Sequence, residues 1–399
     1  MNVLSLFDGI SGGQQALQRA GIPYSKYFAS EIDKYAIKAT MHNFPNTIQL
    51  GSVVNVQAKN LPKIDLLLGG SPCQSFSFAG KRKGMSTKDN QEILTLEHYL
   101  QLKEEGYEFE GQSYLFWELV RILQECKPKY FLLENVMMEE KWKNVITRTL
   151  GVKPIRINSA LVSAQNRDRY YWTSIGQKPT GLFGDLESII EQPKDRGILL
   201  KDIVEEEVNE KYYLSEKMTS KLVLYSNQND RIVGHSGSGG QKGEIFNINA
   251  KVGALCATDY KQPKQIIVHN LQPRSSKSGK GGTGPLSRND GKTYCIDTAN
   301  SMAIEIVAMR GRPNEEGINE QQLEPRQDGK TNCLTSVQKD NLVRSERIRR
   351  LTPKEYCRLQ TVNENYFDGT GISETQQYKS LGNGWTIEVI AHILKYMEL

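Results

Sequence analysis

The chain has 399 residues, 38% of them hydrophobic and 24% charged, which is an ordinary composition for a soluble protein of two or three domains. Its net charge of +5 permits a nucleic-acid partner without requiring one. The chain has no run of about 18 apolar residues, no secretory signal pattern and no Cys-x-x-Cys pair among its six cysteines. We therefore expect a cytoplasmic protein with no membrane partner and no metal site.

The first predicted element is a buried strand over residues 2–7 that ends in a glycine turn. The turn reads Asp8-Gly-Ile-Ser-Gly-Gly13, and a helical pattern follows over residues 14–20. A glycine turn between a strand and a helix lets a ligand approach the backbone and the positive end of the helix. The dinucleotide fingerprint is weak here because the spacing is not Gly-x-Gly-x-x-Gly, and a plain strand-to-helix turn stays an alternative.

A second strand, over residues 26–30, runs into Glu31-Ile-Asp33. An acid at the end of the second strand of an α/β protein is well placed to bind a ribose hydroxyl. The alternative is structural, since Asp33 could cap the helix that follows.

The next predicted strand, over residues 63–68, leads to Cys73, a candidate nucleophile. Gly69 and Gly70 break the strand, and Pro72 favours an extended backbone at Ser71. Cys73 follows, with a Ser/Gly loop behind it, so its thiol is placed as a nucleophile would be. A small buried cysteine after a turn is the other interpretation. The polar loop after Cys73 is a candidate lid.

Downstream, Ser113 is predicted to cap a helix over residues 114–125, and a strand over residues 130–133 ends in Glu134-Asn135. On the helix, Leu115, Leu119, Ile122 and Leu123 share one face and are predicted to be core. The ends of successive strands thus carry Asp8, Glu31, Cys73 and Glu134. In an open α/β sheet this is the edge that binds ligands.

The pattern changes near Thr180, where glycine, serine and asparagine become frequent and basic residues stand in the loops. A weak repeat places Asp-Gly-Lys-Thr-x-Cys at 290–295 and 328–333, with an apolar strand pattern after each cysteine and also after Cys256. Each unit predicts hairpin-like strands. Basic loops on a β-rich insert suit contacts to phosphate.

The α/β pattern returns near Arg347. Thr352, Pro353 and Glu355 form a helix start, and Leu381-Gly-Asn-Gly-Trp385 leads into a final helix. The chain is therefore predicted to contain one α/β domain (1–176) that is interrupted by an insert (177–345) and completed by a C-terminal segment (346–399); the resemblance described below implies that these are a catalytic and cofactor-binding domain, a target-recognition domain and the segment that completes the first domain.

Seven motifs occur in this order along the chain: Phe7-Asp-Gly-x-Ser-Gly-Gly, Glu31-Ile-Asp33, Gly70-Ser-Pro-Cys-Gln74, Glu134-Asn-Val136, Gln165-Asn-Arg167-Asp-Arg169, Arg350-Leu-Thr-Pro-x-Glu355 and Gly382-Asn383-Gly384. Each motif is weak alone, but the ordered set is specific. It resembles the DNA (cytosine-5)-methyltransferases of the compact bacterial or phage restriction-modification type.

The resemblance implies a Rossmann-like S-adenosylmethionine-dependent methyltransferase sheet with a smaller β-rich target-recognition domain inserted before the C-terminal segment. It also implies methyl transfer from S-adenosylmethionine to C5 of a cytosine flipped out of duplex DNA. Cys73 would add to C6 and Glu134 would hold N3 and the exocyclic amine. Arg167 and Arg169 would clamp O2 or phosphate. The implied catalytic set also includes Gln165 and Asn135.

The resemblance further implies a cofactor site in which Glu31 binds the ribose and Ile32 the adenine face. The other implied cofactor residues are Phe7, Asp8, Gly9, Ile10, Gly12, Ser52, Val53, Pro72, Leu115 and Asn383. Two residues depart from the family pattern. Ser52 stands where an acid commonly follows the glycine, and Trp385 stands where the family commonly has valine.

Other functions compete with this interpretation. A tRNA cytosine-5 methyltransferase would share the motifs, and a catalytically dead DNA-binding module would lack the intact Cys73, Glu134 and Arg167. A nicotinamide dehydrogenase is disfavoured by the glycine spacing. The long basic insert favours duplex DNA as the partner. We expect a monomer, with a cognate restriction endonuclease as a candidate partner.

Overall fold

A computed structural model describes residues 1–72, 85–89, 91–109, 111–180, 185–213, 222–224, 231–236, 244–255, 257, 265–269, 303–313, 319–325 and 342–398. Several sequence predictions lie outside the described residues, namely those for Cys73, the loop at 81–84, the repeat cysteines 256, 295 and 333, and the loops at 237–243 and 275–284.

The chain divides into two compact units. The first comprises Met1–Glu205, Asn249–Pro263 and Thr352–Leu399, and the second comprises Glu206–Ile248 and Lys264–Leu351. The sequence boundaries at 176 and 346 differ from this division. Residues 177–205 and the return segment, Asn249–Pro263, belong to the first unit.

The return segment joins the first unit through backbone pairing and one lysine. Strand β14 (Val252–Gly253) pairs in parallel with β7 (Gln165–Asn166). Lys251 Nζ donates to the carbonyls of Ala160 at 2.6 Å and Ile198 at 2.8 Å. These contacts join residues that are far apart in the chain, so the composition of the segment did not indicate that it belongs to the first unit.

A seven-stranded sheet forms the centre of the first unit. Its strands are β1 (Asn2–Leu6), β2 (Lys26–Ser30), β3 (Ile48–Gln49), β4 (Leu66–Gly69), β5 (Tyr130–Val136), β6 (Ile155–Asn158) and β8 (Asp168–Thr173). The order is β3-β2-β1-β4-β5-β8-β6, with β1 to β5 parallel and β8 antiparallel to both of its neighbours. This mixed α/β sheet confirms the predicted fold class.

Eight helices are described in the first unit: α1 (Gly12–Ala20), α2 (Lys34–Asn43), α3 (Leu96–Glu104), α4 (Phe116–Cys126), α5 (Glu140–Leu150), α6 (Pro353–Leu359), α7 (Glu374–Asn383) and α8 (Ile387–Leu394). The central strands are almost wholly apolar, and all four residues of β4 are buried, as expected of a parallel sheet that is covered on both faces. None of the helices in the described part of the chain has the length and apolar character of a membrane span.

The helix starts show which local predictions hold. Thr352 and Glu355 form the predicted capping box at α6, with Pro353 in the first turn, and Asp33 caps α2. The predicted cap at Ser113 is wrong, because a 3-10 turn over Ser113–Leu115 precedes α4. The core prediction for α4 holds, since Leu119 and Ile122 are buried while Leu115 and Leu123 are partly buried against them.

The second unit contains another seven-stranded sheet. Its described strands are β11 (Leu222–Leu224), β12 (Ile232–Ser236), β13 (Glu244–Phe246), β15 (Gln265–His269), β16 (Ala303–Pro313), β17 (Asn319–Pro325) and β18 (Leu342–Arg350), in the order β11-β12-β13-β15-β18-β16-β17. The three strands at the repeat offsets, β15, β16 and β18, are neighbours, and β18 lies antiparallel between the other two. The repeat therefore contributes adjacent strands of one sheet.

The remaining strands, β9 (Gln177–Thr180) and β10 (Asp185–Ser188), form a separate antiparallel pair in the first unit.

Candidate active site

The sheet order brings the ends of four parallel strands to one edge. Strands β2, β1, β4 and β5 are consecutive neighbours, and Glu31, Asp8 and Ser71 follow the ends of the first three. Glu134 lies inside β5, two residues before its end at Val136, whereas the sequence predicted that the strand would end before it. This placement follows from the parallel arrangement, in which all carboxyl ends point to the same edge.

A cleft lies at this edge, after β1. It is lined by residues from both ends of the chain: Phe7, Asp8, Gly9, Ile10, Gly12, Asn383, Gly384, Trp385 and Ile387. The glycine turn enters it with Gly9 at a φ of 59°, a left-handed conformation that glycine adopts without strain. The cleft therefore contains five of the predicted cofactor residues from the first turn, together with Asn383.

Glu31 is tied to the glycine turn by its carboxylate. One oxygen, Oε2, accepts from the backbone N–H of Gly9 at 2.8 Å. The other, Oε1, accepts from the N–H groups of Ile32 at 2.7 Å and Asp33 at 2.8 Å. The carboxylate is thus held in a fixed orientation, still half-exposed at the strand end.

Three other predicted cofactor residues, Ile32, Ser52 and Val53, differ in their exposure and contacts. Ile32 is 70% exposed, an unusual state for isoleucine that leaves an apolar surface for a flat ligand. Val53 is buried in a 3-10 turn that follows Ser52, and Ser52 makes no side-chain cap. Ser30 Oγ donates to the Gly51 carbonyl at 2.8 Å, which fixes the backbone just before Ser52.

Trp385 packs in the cleft against two positions that have no side chain. A Cβ atom at Gly12 would lie 3.4 Å from Trp385 Cε3, and one at Gly70 would lie 2.9 Å from the indole Nε1. Gly70 is three residues before Cys73, so the indole lies between the glycine turn and the strand end that leads to the cysteine. Trp385, Gly70 and Ile387 were not predicted as site residues. The signal that could have indicated them is the Gly-Trp-Thr-Ile run directly before the last helix.

Glu134 and Arg169 form an ion pair on one face of the β5–β8 ladder. Arg169 Nε lies 3.0 Å from Glu134 Oε1, and the two side chains are only 14% and 11% exposed. Glu134 is paired in register with Tyr171, and Arg169 with Val136, so the ion pair is a diagonal neighbour contact. The sequence placed both residues at the base-binding site, and the structure brings them together.

Asn135 holds the backbone that leads to Cys73. Its Nδ2 donates to Ser71 Oγ at 3.2 Å, and both residues are buried. Pro72, the last described residue before Cys73, is half-buried. Leu115 is half-buried and packs against the hydrophobic core.

Gln165 and Arg167 contact the C-terminal and return segments. Gln165 is fully buried, and its amide donates to the Leu359 carbonyl at 3.2 Å and accepts from Leu255 N–H at 3.0 Å. Arg167, 5% exposed, donates to the carbonyls of Leu255 at 3.1 Å and Gly384 at 3.0 Å. Both side chains therefore position the backbone beside the cleft.

Asp8 lines the cleft but buries its carboxylate beneath the turn. Oδ1 accepts from the Tyr27 hydroxyl at 2.8 Å, and Oδ2 is buried without a hydrogen-bond partner. Burial raises the pKa of Asp8 to about 6, hydrogen bonds including that from Tyr27 lower it in part, and the nearby Glu31 charge raises it slightly. Asp8 is therefore an acid whose ionisation is costly in the folded protein.

This burial predicts a pH-dependent effect of Asp8→Asn. Between pH 3.8 and about 6 the folded chain keeps a proton that the unfolded chain has lost, so the contribution of Asp8 to the free energy of unfolding falls as pH rises. The variant cannot ionise, and its free energy of unfolding relative to wild type should rise by on the order of 3 kcal/mol across that window. Urea denaturation of both proteins at a series of pH values measures the difference. A difference that does not change with pH would contradict the assignment.

The comparison with protein families decides the identity. The model of the C-5 cytosine-specific DNA methylases matches residues 1–398 of the chain. The chain belongs to the C-5 cytosine-specific DNA methylase family. The predicted resemblance is thereby confirmed, and with it the enzyme class, a DNA (cytosine-5-)-methyltransferase acting on DNA.

Relatives of this methylase occur in phages and bacteria. It is 29% identical to the orphan methyltransferase M.SPRI of Bacillus phage SPR, over 99% of this chain and 97% of that protein. It is 25% identical to the type II methyltransferase M.HgiCI of Herpetosiphon aurantiacus, with the same coverage of each. The alignments span the insert as well as the catalytic motifs.

Solved structures support the fold of the methylase. A mutant of DNMT2 from Spodoptera frugiperda has a TM-score of 0.52 at 21% identity, over 99% of this chain and 98% of that one. The methyltransferase EhMeth of Entamoeba histolytica has a TM-score of 0.54 at 16% identity, over 99% and 97%. At these identities the likeness concerns the fold alone.

Proposed function

We propose that this methylase transfers a methyl group from S-adenosylmethionine to C5 of a cytosine flipped out of a specific duplex DNA sequence, through a covalent bond between Cys73 and C6. The observation that carries the proposal is the arrangement at one sheet edge. The cleft lined by Trp385 follows β1, and Glu31 bonds to Gly9 of its lining. Beyond β4 and the Ser71–Pro72 segment, the Glu134–Arg169 ion pair joins β5 to β8.

The residues around the base have separate tasks. C5 of cytosine is a poor nucleophile, and addition of the Cys73 thiolate to C6 raises the electron density at C5. Glu134 holds N3 and the exocyclic amine and favours a proton at N3, while Arg169 keeps the Glu134 carboxylate in place and is within reach of O2 or a phosphate. Once C5 carries the methyl group, transfer of the C5 proton to a solvent base breaks the bond between Cys73 and C6, releases the thiolate and restores the C5–C6 double bond. Asn135 positions the backbone before Cys73 through Ser71.

The cleft and the residues beside it fit S-adenosylmethionine by their chemistry. Beside the cleft, the fixed Glu31 carboxylate has an acceptor site left at Oε2 for a ribose hydroxyl, and the exposed Ile32 offers an apolar face to adenine. The absence of side chains at Gly12 and Gly70 lets the Trp385 indole pack closely against the backbone on the wall of the cleft. Phe7, Ile10 and Asn383 line the same cleft, and Ser52, Val53, Pro72 and Leu115 stay predicted contacts. S-adenosylmethionine supplies an electrophilic methyl group when bound.

Glu31→Ala should weaken cofactor binding by about 1–3 kcal/mol, because it removes the charge-assisted hydrogen bond to the ribose and also frees the Gly9 N–H. Isothermal titration with S-adenosylhomocysteine, which binds without reacting, measures the change.

The matched control for Glu31 is Glu140→Ala, which removes an exposed carboxylate at the start of α5 and should leave the dissociation constant unchanged. A Glu31→Ala protein that binds as tightly as wild type would exclude the ribose role.

The second unit is the proposed target-recognition domain. Its β-rich sheet, its repeated strands and its basic residues such as Arg310 and Arg312 on β16 support this role. Arginine can discriminate guanine edges in the major groove by about 1–3 kcal/mol for each bidentate pair, and phosphate contacts add affinity.

Transfer to tRNA is the alternative substrate. Incubation with labelled S-adenosylmethionine and equal masses of duplex DNA and tRNA separates the two. We expect the label in the DNA fraction, and label in tRNA alone would overturn the proposal.

Three expectations stay predictions: a monomeric state, a cytoplasmic location and a cognate restriction endonuclease. The phage relative is described as an orphan methyltransferase, whereas the Herpetosiphon relative is described as type II. The names of the relatives thus favour neither the presence nor the absence of a cognate restriction endonuclease.

A further inference from the structure

A buried polar network surrounds the backbone that carries Trp385. The Gly384 carbonyl accepts two hydrogen bonds, from Arg167 Nη2 at 3.0 Å and from Gln360 Nε2 at 3.3 Å. Gln360 Oε1 in turn accepts from Gln165 Nε2 at 3.2 Å and from Thr386 Oγ1 at 3.0 Å. Gln165, Arg167, Gln360 and Thr386 are all buried. The turn before α8 is therefore fixed on both sides of Trp385.

The geometry of the peptide bond transmits this restraint to the indole. The Gly384 carbonyl and the Trp385 N–H belong to one planar unit, so a fixed carbonyl oxygen fixes the direction in which Trp385 leaves the backbone. The indole packs at Gly12 and Gly70, on the wall of the cofactor cleft. A rotation of this peptide would move the indole into or out of the cleft.

The other end of the Arg167 guanidinium is anchored in the return segment. Nη1 donates to the Leu255 carbonyl at 3.1 Å. The Leu255 N–H is held by Gln165 Oε1, and the Val252 N–H is held by the Ala164 carbonyl at 2.9 Å. Arg167 thus joins two carbonyls on backbone segments about 130 residues apart in sequence, and each segment has further bonds of its own.

We propose that Arg167 is a positioning residue of the cofactor cleft, which holds the Gly384–Trp385 peptide against the return segment and so places the Trp385 indole for cofactor binding. The inference rests on the proposed cofactor site. It separates Arg167 from Arg169, whose described charged partner is Glu134.

The chemistry of the side chain explains why arginine is needed. A planar guanidinium presents five N–H donors in fixed directions and can reach two carbonyls at once. A lysine ammonium at this depth would be a point charge on a flexible stem, able to satisfy one carbonyl well. Methionine would fill the volume with no donor.

The test measures binding of S-adenosylhomocysteine to the full chain by titration, together with the change in tryptophan fluorescence on binding. Trp117, Trp142 and Trp172 are buried in the core, so a ligand-induced change should come from Trp385 and should disappear in Trp385→Phe. We expect Arg167→Met to weaken binding by roughly 10–100-fold, with a smaller fluorescence change, and Arg167→Lys to recover part of the loss.

Two arginine variants complete the design. Arg156→Met removes an exposed arginine on β6 that pairs with Asp168, and Arg169→Met removes the partner of Glu134. Both should bind S-adenosylhomocysteine within about twofold of wild type, while Arg169→Met alone of these two should impair methyl transfer.

The inference would be overturned if both Arg167 variants kept wild-type affinity and fluorescence change, or if Arg156→Met lost as much affinity as Arg167→Met. Should Arg167→Met fail to fold, Arg167→Lys decides by the same two measurements. Wild-type protein that did not bind S-adenosylhomocysteine would instead count against the proposed function, so the two failures are distinguishable.

Discussion

Duplex DNA that carries 5-fluorocytosine at the target should become covalently attached to the wild-type methylase in the presence of S-adenosylmethionine, and Cys73→Ser should abolish the attachment. The physical reason is that fluorine at C5 cannot leave as a proton, so the bond between Cys73 and C6 cannot be broken by elimination. Denaturing electrophoresis measures the adduct. Cys73→Ser should bind DNA nearly as well as wild type, because a thiol-to-hydroxyl change is small and lies outside the proposed recognition unit.

Cys126 provides a matched control for this experiment. It is a half-buried free cysteine on α4, and burial raises the pKa of its thiol, which disfavours the thiolate. Cys126→Ser should therefore be attached to DNA as efficiently as wild type. Peptide mapping of the adduct identifies the attached cysteine directly, and an adduct on any other cysteine, or undiminished attachment by Cys73→Ser, would sink the assignment.

Exchange of the recognition unit should move the target sequence. The hybrid would carry residues 206–248 and 264–351 from a methylase of known specificity and would keep Asn249–Pro263 of this chain, because that segment belongs to the first unit and anchors Gln165 and Arg167. We expect the hybrid to methylate the site of the donor, since base contacts made from the exchanged strands and loops would determine the sequence read. Restriction protection of plasmids carrying each site measures the change.

Binding of S-adenosylhomocysteine by the hybrid is the internal control and should stay unchanged, because every cleft-lining residue lies outside the exchanged ranges. An active hybrid that still methylated the original site would place recognition elsewhere, with the loop after Cys73 as the next candidate.

The sequence was sufficient to predict which residues lie at the ligand-binding edge of the sheet. In a parallel sheet the carboxyl ends of all strands lie at the same edge, whatever the order of the strands. Glu31 follows β2 and Glu134 lies near the carboxyl end of β5, so their presence at one edge required only that the two strands run parallel in one sheet. The capping box at Thr352 was likewise predictable, because all of its partners lie within four residues.

The contacts that join distant segments could not be predicted in the same way. Arg167 contacts Gly384, 217 residues away, and nothing in the spacing of Gln165-Asn-Arg167 indicates that the guanidinium would hold backbone carbonyls. Trp385 could be recognised as a departure from the family pattern, but its packing at Gly12 and Gly70 depends on two glycines that are close only in the folded chain. The return segment could not be assigned to the first unit from the sequence, because its composition matches that of the insert on either side of it.

The most direct test of the account is the position of methyl groups in DNA from cells that express the methylase. Single-base mapping of 5-methylcytosine should reveal one or a few short sequences methylated at nearly every occurrence, and cells expressing Cys73→Ser should show background levels. Absence of new 5-methylcytosine in cells that contain folded wild-type protein, or the same methylation from Cys73→Ser, would show that this chain does not methylate cytosine C5 in specific duplex sequences through Cys73.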